Sequence, residues 1–400
     1  MNVPKLRFKG FNESWKQIRL GEFIFERSEI SNNDFLPIYS LTIEKGVTPK
    51  TDRYEREYLV SDTESAYRLV KKGDFAYNPM NLRFGAIAKY SGDNSVRVSK
   101  YYNVFYCNDS VESSFIDIYF KTTRMICFYD KMSTGSLVEK KRVHFSDFLE
   151  FKIPFPSLPE QTKIANFLTA VDEKISQLTQ KYDLLKQYKK GVMQQIFSQK
   201  LRFKDDDGRE FPEWETVRLG DIASFSKGKG ISKADIATDG KTLCIRYGEL
   251  YTEYGETIQK IKSKTNVNSE ELQLSESNDV IIPASGETQI DIAKASCVLV
   301  RGVALGGDIN IIKSNENGVF LSYYLNHQKR LDIAKLAQGN SVVHLYSSQL
   351  KLLDLIIPSK PEQTKIANFL TAIDDKIAQA QTQLDAVKQY KKGLLQQLFV

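Results

Sequence analysis

Twelve consecutive residues, PEQTKIANFLTA, occur twice in the chain, at Pro159–Ala170 and at Pro361–Ala372. The match extends outward: at an offset of 202, Pro156–Ser198 and Pro358–Val400 are identical at 28 of 43 positions, with KQYKKG at Lys186–Gly191 and Lys388–Gly393. In the first copy Ile164, Leu168, Val171, Ile175, Leu178, Tyr182 and Leu185 recur at alternating steps of four and three. The second copy keeps the register with Ile366, Leu370, Ile373, Ile377, Ala380, Leu384 and Val387. That spacing predicts a long helix with a coiled-coil seam in each copy, roughly 55–60 Å long at ~1.5 Å per residue. Pro159 and Pro361 suit the first turn, where a missing N–H costs nothing, and Glu160 and Glu362 set negative charge against the positive end of the helix dipole. Neither helix can cover its seam alone. Two matching stripes in one chain favour pairing within the molecule over homodimerisation.

A fainter repeat precedes each large segment, LRFKGFNESWKQIRLGEF from Leu6 and LRFKDDDGREFPEWETVRLGDI from Leu201. The order is therefore strip, variable segment, helix, strip, variable segment, helix. After the last helix another strip is due, and it stands at the N-terminus instead. The pattern is circular, so the ends of the chain are expected to meet, with two pseudo-twofold halves and antiparallel helices. The expected divisions are residues 1–155, 156–199, 200–357 and 358–400.

The variable segments differ in sequence but share a layout. Phe35–Leu41, Gly85–Tyr90 and Tyr101–Cys107 read as strands before a helix over Phe115–Phe128. Lys241–Tyr247, Asp279–Pro283, Asp291–Val300 and Asp308–Ile312 read as strands before a helix over Phe320–Lys335. Both then pass through a Gly-Ser or Gly-Asn-Ser turn into an apolar strand. The fold class is α+β, two mixed domains separated by two long antiparallel helices.

Charge narrows the function. The net charge is +6, yet Lys and Arg number 18 against 19 Asp and Glu over residues 22–150, and 15 against 16 over 221–357. A nucleic-acid footprint, which is ordinarily basic, must therefore come from gathering cations onto one face. Cys107, Cys127, Cys244 and Cys297 lack metal-ligand spacing and read as buried reduced thiols; His144, His327 and His344 are too dispersed for a metal site. No Ser-His-Asp or paired-carboxylate arrangement is visible. No run of eighteen apolar residues or signal core occurs, and the chain is expected in the cytoplasm.

Taken together, the two PxxPEQTKIANFL segments, the KQYKKG endings, the WxxxxLG strips at Trp15–Gly21 and Trp214–Gly220, and the blocks Asp74–Tyr90 and Pro283–Gly307 resemble the specificity subunit of Type I restriction-modification systems. The resemblance implies a non-catalytic subunit with two target-recognition domains, each reading half of a bipartite DNA site. It also implies methylation subunits, two of them, docked on the helices, and restriction subunits; S-adenosylmethionine, ATP and Mg are implied on those partners, and this chain is expected to hold no cofactor.

Base reading needs paired donors and acceptors on loops that enter a groove. In AYNPMNLRFGAI those are Asn78, Asn81 and Arg83, although the same residues suit an Asn-stabilised turn. Asn78-Pro79-Met80 is not the Asn-Pro-Pro-aromatic tetrapeptide of adenine methyltransferases, because the second Pro and the aromatic are missing. In PASGETQIDIA the candidates are Ser285, Gly286, Thr288 and Gln289, which equally suit a hairpin loop. Lys227 and Lys229, Lys140, Lys141 and Arg142, and His344 are candidate phosphate contacts. The alternative for such cations is a solvated surface.

Overall fold

The computed structural model describes residues 3–30, 35–50, 67–135, 141–339 and 342–399. It divides into two compact units, one of residues 1–179 with 382–400 and one of 180–381. Two long helices, Leu158–Phe197 and Lys360–Leu398, pass from one unit into the other.

In the first unit the strip strand Lys16–Arg19 pairs antiparallel with Lys152–Phe155, so the start and end of the domain are fastened to one another. Between them lies an antiparallel sheet in the order Ile24–Glu26, Asn103–Cys107, Phe75–Tyr77, Ile87–Lys89. Its core is aromatic: Phe75 stacks on Phe105 at 5.0 Å, and Tyr77, Phe120 and Phe148 close around them. The second unit repeats the plan. Glu215–Arg218 pairs with Asp354–Ile357. Its main sheet runs Ala223–Lys227, Ile309–Ser314, Asp279–Pro283, Ser296–Val298, the same four-strand order, and adds Thr257–Ile258 as a parallel fifth strand. It also has a second four-stranded sheet, Ser263–Thr265, Thr242–Ile245, Ala304–Leu305, Gln273–Leu274.

The Leu-Gly pair of each strip is a packing device. Leu219 N–H donates to Leu353 O and Gly220 N–H to Lys351 O, and a Cβ on Gly220 would lie 2.9 Å from that same oxygen. Only glycine allows so close an approach.

The PEQ motif also acquires a physical cause. Arg7 forms a two-point ion pair with Glu160, and Arg202 forms the same pair with Glu362, so the strip grips the helix in each unit. Gln161 accepts Glu112 N–H and donates to Pro156 O; Gln363 accepts Asn317 N–H and donates to Pro358 O. Each glutamine thereby ties the long helix to the first residues of the domain's own helix, Ser113–Phe120 or Gly318–His327.

Within each unit the long helices run antiparallel. Lys391 pairs with Asp172 at 2.5 Å in the first unit and Lys189 with Asp374 at 2.7 Å in the second, the same residues under the 202-residue offset. Leu178 and Leu384 are buried in the seam, and Ile175, Leu185 and Val387 are half-buried. Nearer the ends the seam merges with the domain cores. Ile164, Leu168 and the half-buried Val171 join Leu394, Leu398 and Phe399 in the first; Ile366, Leu370, Ile373 and the half-buried Ile377 join Val192, Ile196 and Phe197 in the second. The expected meeting of the chain ends is present in the first unit: Leu6 N–H donates to Gln397 O at 3.0 Å, as Leu201 N–H donates to Gln195 O at 3.1 Å in the second.

Four local expectations need correction. Phe115–Phe128 is two helices, Ser113–Phe120 and Thr123–Met132, because the Thr122 hydroxyl accepts Met125 N–H and starts the second. Phe320–Lys335 is likewise Gly318–His327 and Arg330–Leu336. Asp291 lies in a one-turn helix, Gln289–Ile292, capped by the Thr288 hydroxyl, and the strand begins only at Ser296. Cys127 is exposed rather than buried, since its helix turns that position outward.

Candidate nucleic-acid interface

In both domains the candidate loop leaves the same central strand. In the first, Asn78 follows Phe75–Tyr77; its side-chain oxygen accepts Met80 N–H, and Asn81 O accepts the N–H groups of Phe84 and Ala86. The loop is therefore an Asn-stabilised turn that also holds Met80, Asn81 and Phe84 at the surface. Arg83 leans on the Phe84 ring at 4.4 Å and reaches Asp130 at 3.3 Å, which leaves it largely covered. Val143 N–H donates to Pro79 O, bringing the segment of Lys141, Arg142 and His144 against the loop. Arg142 and His144 are exposed and Lys141 is half-buried; Lys140 lies outside the described residues.

In the second domain Ser285–Gly286 pairs antiparallel with Val343–His344, so two candidate segments nearly sixty residues apart in sequence form one ribbon, with Ser285 opposite His344. Ser285 and Gly286 are buried. A Cβ on Gly286 would come 2.3 Å from Ile292 Cγ2, so this glycine serves packing against the core. Thr288, Gln289 and His344 are exposed; the Thr288 hydroxyl bonds Asp291, and His344 stacks on the exposed Tyr346 at 6.3 Å. Lys227 and Lys229 continue this surface. Both are exposed, Lys227 lies 3.8 Å from Asp308, and Asp308 O accepts Ala284 N–H next to the ribbon.

Each domain thus offers an edge built from the loop after its central strand and a second segment, 141–144 or 343–346; the Gly-Ser and Gly-Asn-Ser turns expected before them fall largely outside the described residues. The exposed groups there are amides, hydroxyls, imidazoles and cations, which bond to base edges and phosphates. Sequence reading passed over Tyr346, whose exposure beside His344 no periodicity signals, and Arg246, which follows the strand Thr242–Ile245.

A family model described as Type I restriction modification DNA specificity domain matches the chain twice, over residues 12–187 and 212–389. The chain is similar to the type I restriction enzyme MjaIX specificity subunit of Methanocaldococcus jannaschii, 23% identical over 360 residues, which is 84% of this chain and 78% of the relative. A relative from the same organism, provisionally designated the MjaX specificity subunit, is 27% identical over 269 residues, 64% of this chain and 60% of its own length. The alignment thus spans about three fifths of that relative. The fold is similar to the crystal structure of a Type-I restriction-modification system S subunit from M. genitalium, with a TM-score of 0.60 at 15% identity over 100% of this chain and 99% of the other. With both of its repeats matched, the chain belongs to the Type I restriction modification DNA specificity domain family.

Proposed function

We propose that this chain is the DNA sequence-specificity subunit of a Type I restriction-modification complex. Each domain reads one half of a bipartite, asymmetric site in double-stranded DNA, and the helix pair sets the gap between the halves. The observation that carries this reading is the pair of loop edges: the same strand order presents them in both domains, with different residues at the tip. One scaffold carrying two dissimilar readers suits a site whose halves differ.

Methylation subunits, two of them, dock on the helices, where Tyr188 and Tyr390 stand exposed at the same place in each copy. Restriction subunits join the assembly. S-adenosylmethionine, ATP and Mg act on those partners, and this chain catalyses no step itself. Its DNA substrate would place the chain in the cytoplasm; among the described residues no helix is long and apolar enough to cross a membrane.

Mapping methylated adenines in cells that carry this chain and its methylation partner is the direct test. The expected result is one interrupted motif with unlike halves. A continuous motif, or methylation independent of this chain, would overturn the reading.

A further inference from the structure

A recess of about 720 Å³ opens in the second domain, lined by Gly230, Ser232, Lys233, Arg246, Tyr247 and Asp308 among others. One wall is fastened backbone to backbone. Gly228 N–H donates to Ile309 O, Lys229 N–H to Leu305 O and Gly307 N–H to Gly230 O, and a Cβ on Gly228 would lie 1.9 Å from Gly306 O. Ile231 is buried at φ +58°, so the turn carrying Lys229 and Lys233 is held in one conformation. The recess is continuous with the candidate interface through Asp308, which lines it and accepts Ala284 N–H.

Arg246 differs from the other arginines of this domain. The guanidinium groups of Arg202, Arg209, Arg218, Arg301 and Arg330 each donate to a carboxylate or carbonyl. Arg246 Nε is buried without a partner among the described residues, and Nη2 lies 3.7 Å from Glu249 Oε1, an ion pair longer than a hydrogen bond. Glu249 is occupied elsewhere: it accepts Arg246 N–H at 2.8 Å and the Ser263 hydroxyl. The neighbours Asp235 and Asp308 make the recess unfavourable for phosphate, and the terminal Nη groups of Arg246, which line it, make no hydrogen bond among the described residues. In the major groove guanine presents two adjacent acceptors, N7 and O6, the pattern a guanidinium matches in two-point fashion. The exposed Lys229 and Lys233 at the rim suit the flanking phosphates.

We propose that Arg246 reads a guanine in the half-site of the second domain, with Lys229 and Lys233 holding the backbone beside it; this rests on the DNA-specificity reading above. The test uses the full chain in complex with its methylation partner and duplexes in which each guanine of the site is replaced in turn by 7-deazaguanine, which lacks N7. One guanine of one half-site should weaken wild-type binding roughly 2- to 13-fold when replaced, about half the free energy of a good two-point contact because O6 remains. Arg246→Ala should bind the unmodified duplex with a larger loss, roughly 5- to 150-fold, and be indifferent to the replacement. Arg246→Lys, which keeps the charge and a donor but not the fork, should bind more weakly than wild type and keep only part of the sensitivity. Lys229→Ala should weaken all sequences alike and lower the salt slope by about 0.9.

Persistent sensitivity in Arg246→Ala, or a half-site without a sensitive guanine, would overturn the assignment while leaving the DNA-specificity reading intact. Loss of the folded state in both Arg246 variants, seen by circular dichroism, would also overturn it by making the residue structural. A wild-type complex with no sequence preference would instead defeat the underlying reading.

Discussion

Gly286 is a glycine because Ile292 fills the space its side chain would need. Ile292 is fully buried and branched at Cβ, so it has no rotamer into which to retreat. Gly286→Ala is therefore expected to cost about 1–3 kcal/mol, the usual range for overpacking, and Ile292→Ala should relieve part of that loss in the double variant. Urea unfolding of the three variants would measure the coupling. His327 offers a pH effect. Burial beside the Phe197 ring holds its pKa below the ordinary histidine value of 6.5, and its Nδ1 lacks a hydrogen-bond partner among the described residues. Between the folded and unfolded values the unfolded chain binds more protons, so stability is complete above 6.5 and falls as pH drops toward the folded value. His327→Gln should flatten that part of a Tm-versus-pH curve; an unchanged slope would assign the acid sensitivity elsewhere. At the candidate interface, Asn81 is exposed and its carbonyl accepts two backbone N–H groups, whereas Arg83 is tied to Asp130. Asn81→Ala is expected to change one base of the methylated motif, and Lys141→Ala to lower affinity without changing the motif. Sequencing of methylated sites distinguishes the two outcomes.

At the scale of elements, several positions of the duplicated dodecapeptide have the same structural role in both copies. Its Glu meets an arginine of the strip, its Gln caps the domain's helix, and its Ile, Ala and Leu enter the core, in both copies. Glu362 is fully buried, whereas Arg202 is partly exposed and also donates to Phe211 O and Pro212 O, so Glu362→Ala removes the two-point pair without stranding the guanidinium and should cost about 1–3 kcal/mol, with Arg202→Met/Glu362→Leu recovering part of it. Trp15 and Trp214 are the only tryptophans and lie one in each unit, so Trp15→Phe makes Trp214 fluorescence a reporter for this loss in the second unit. The duplication made the long helices and their pairing legible from sequence. The shared sheet order was not legible, because its strands are three to six residues long and their partners are distant in the chain. Periodicity identified an apolar face on Ile164, Leu168, Ile366 and Leu370 but could not say that a domain core covers much of it. Arg246 stayed hidden for another reason: it stands before a six-residue helix, Tyr247–Thr252, too short to leave a periodic trace.

On the scale of the molecule, both long helices contribute half their length to each unit. If they set the gap in the DNA site, four residues added at matched positions of both, ~6 Å of rise, should widen the tolerated gap by about 1–2 bp and leave each half-motif as it was. Methylation mapping of such a variant would show the change, and an unaltered gap would remove the helices from that role. The two units also differ in how they are assembled from the chain. The second is a continuous run from Gln180 to Gln381, and the Phe197 that packs on Phe320 and Tyr324 is translated ahead of the domain that receives it. In the first, Phe399 packs against Trp15 and stacks on Tyr119 at 5.1 Å, and Leu6 bonds to Gln397. During synthesis at about 5–20 residues per second, the segment from 180 to 381 must emerge first, a delay of roughly 10–40 s. For that interval the nascent first unit lacks Leu394, Leu398 and Phe399, so the core around Ile164 and Leu168 is completed only when the last helix arrives.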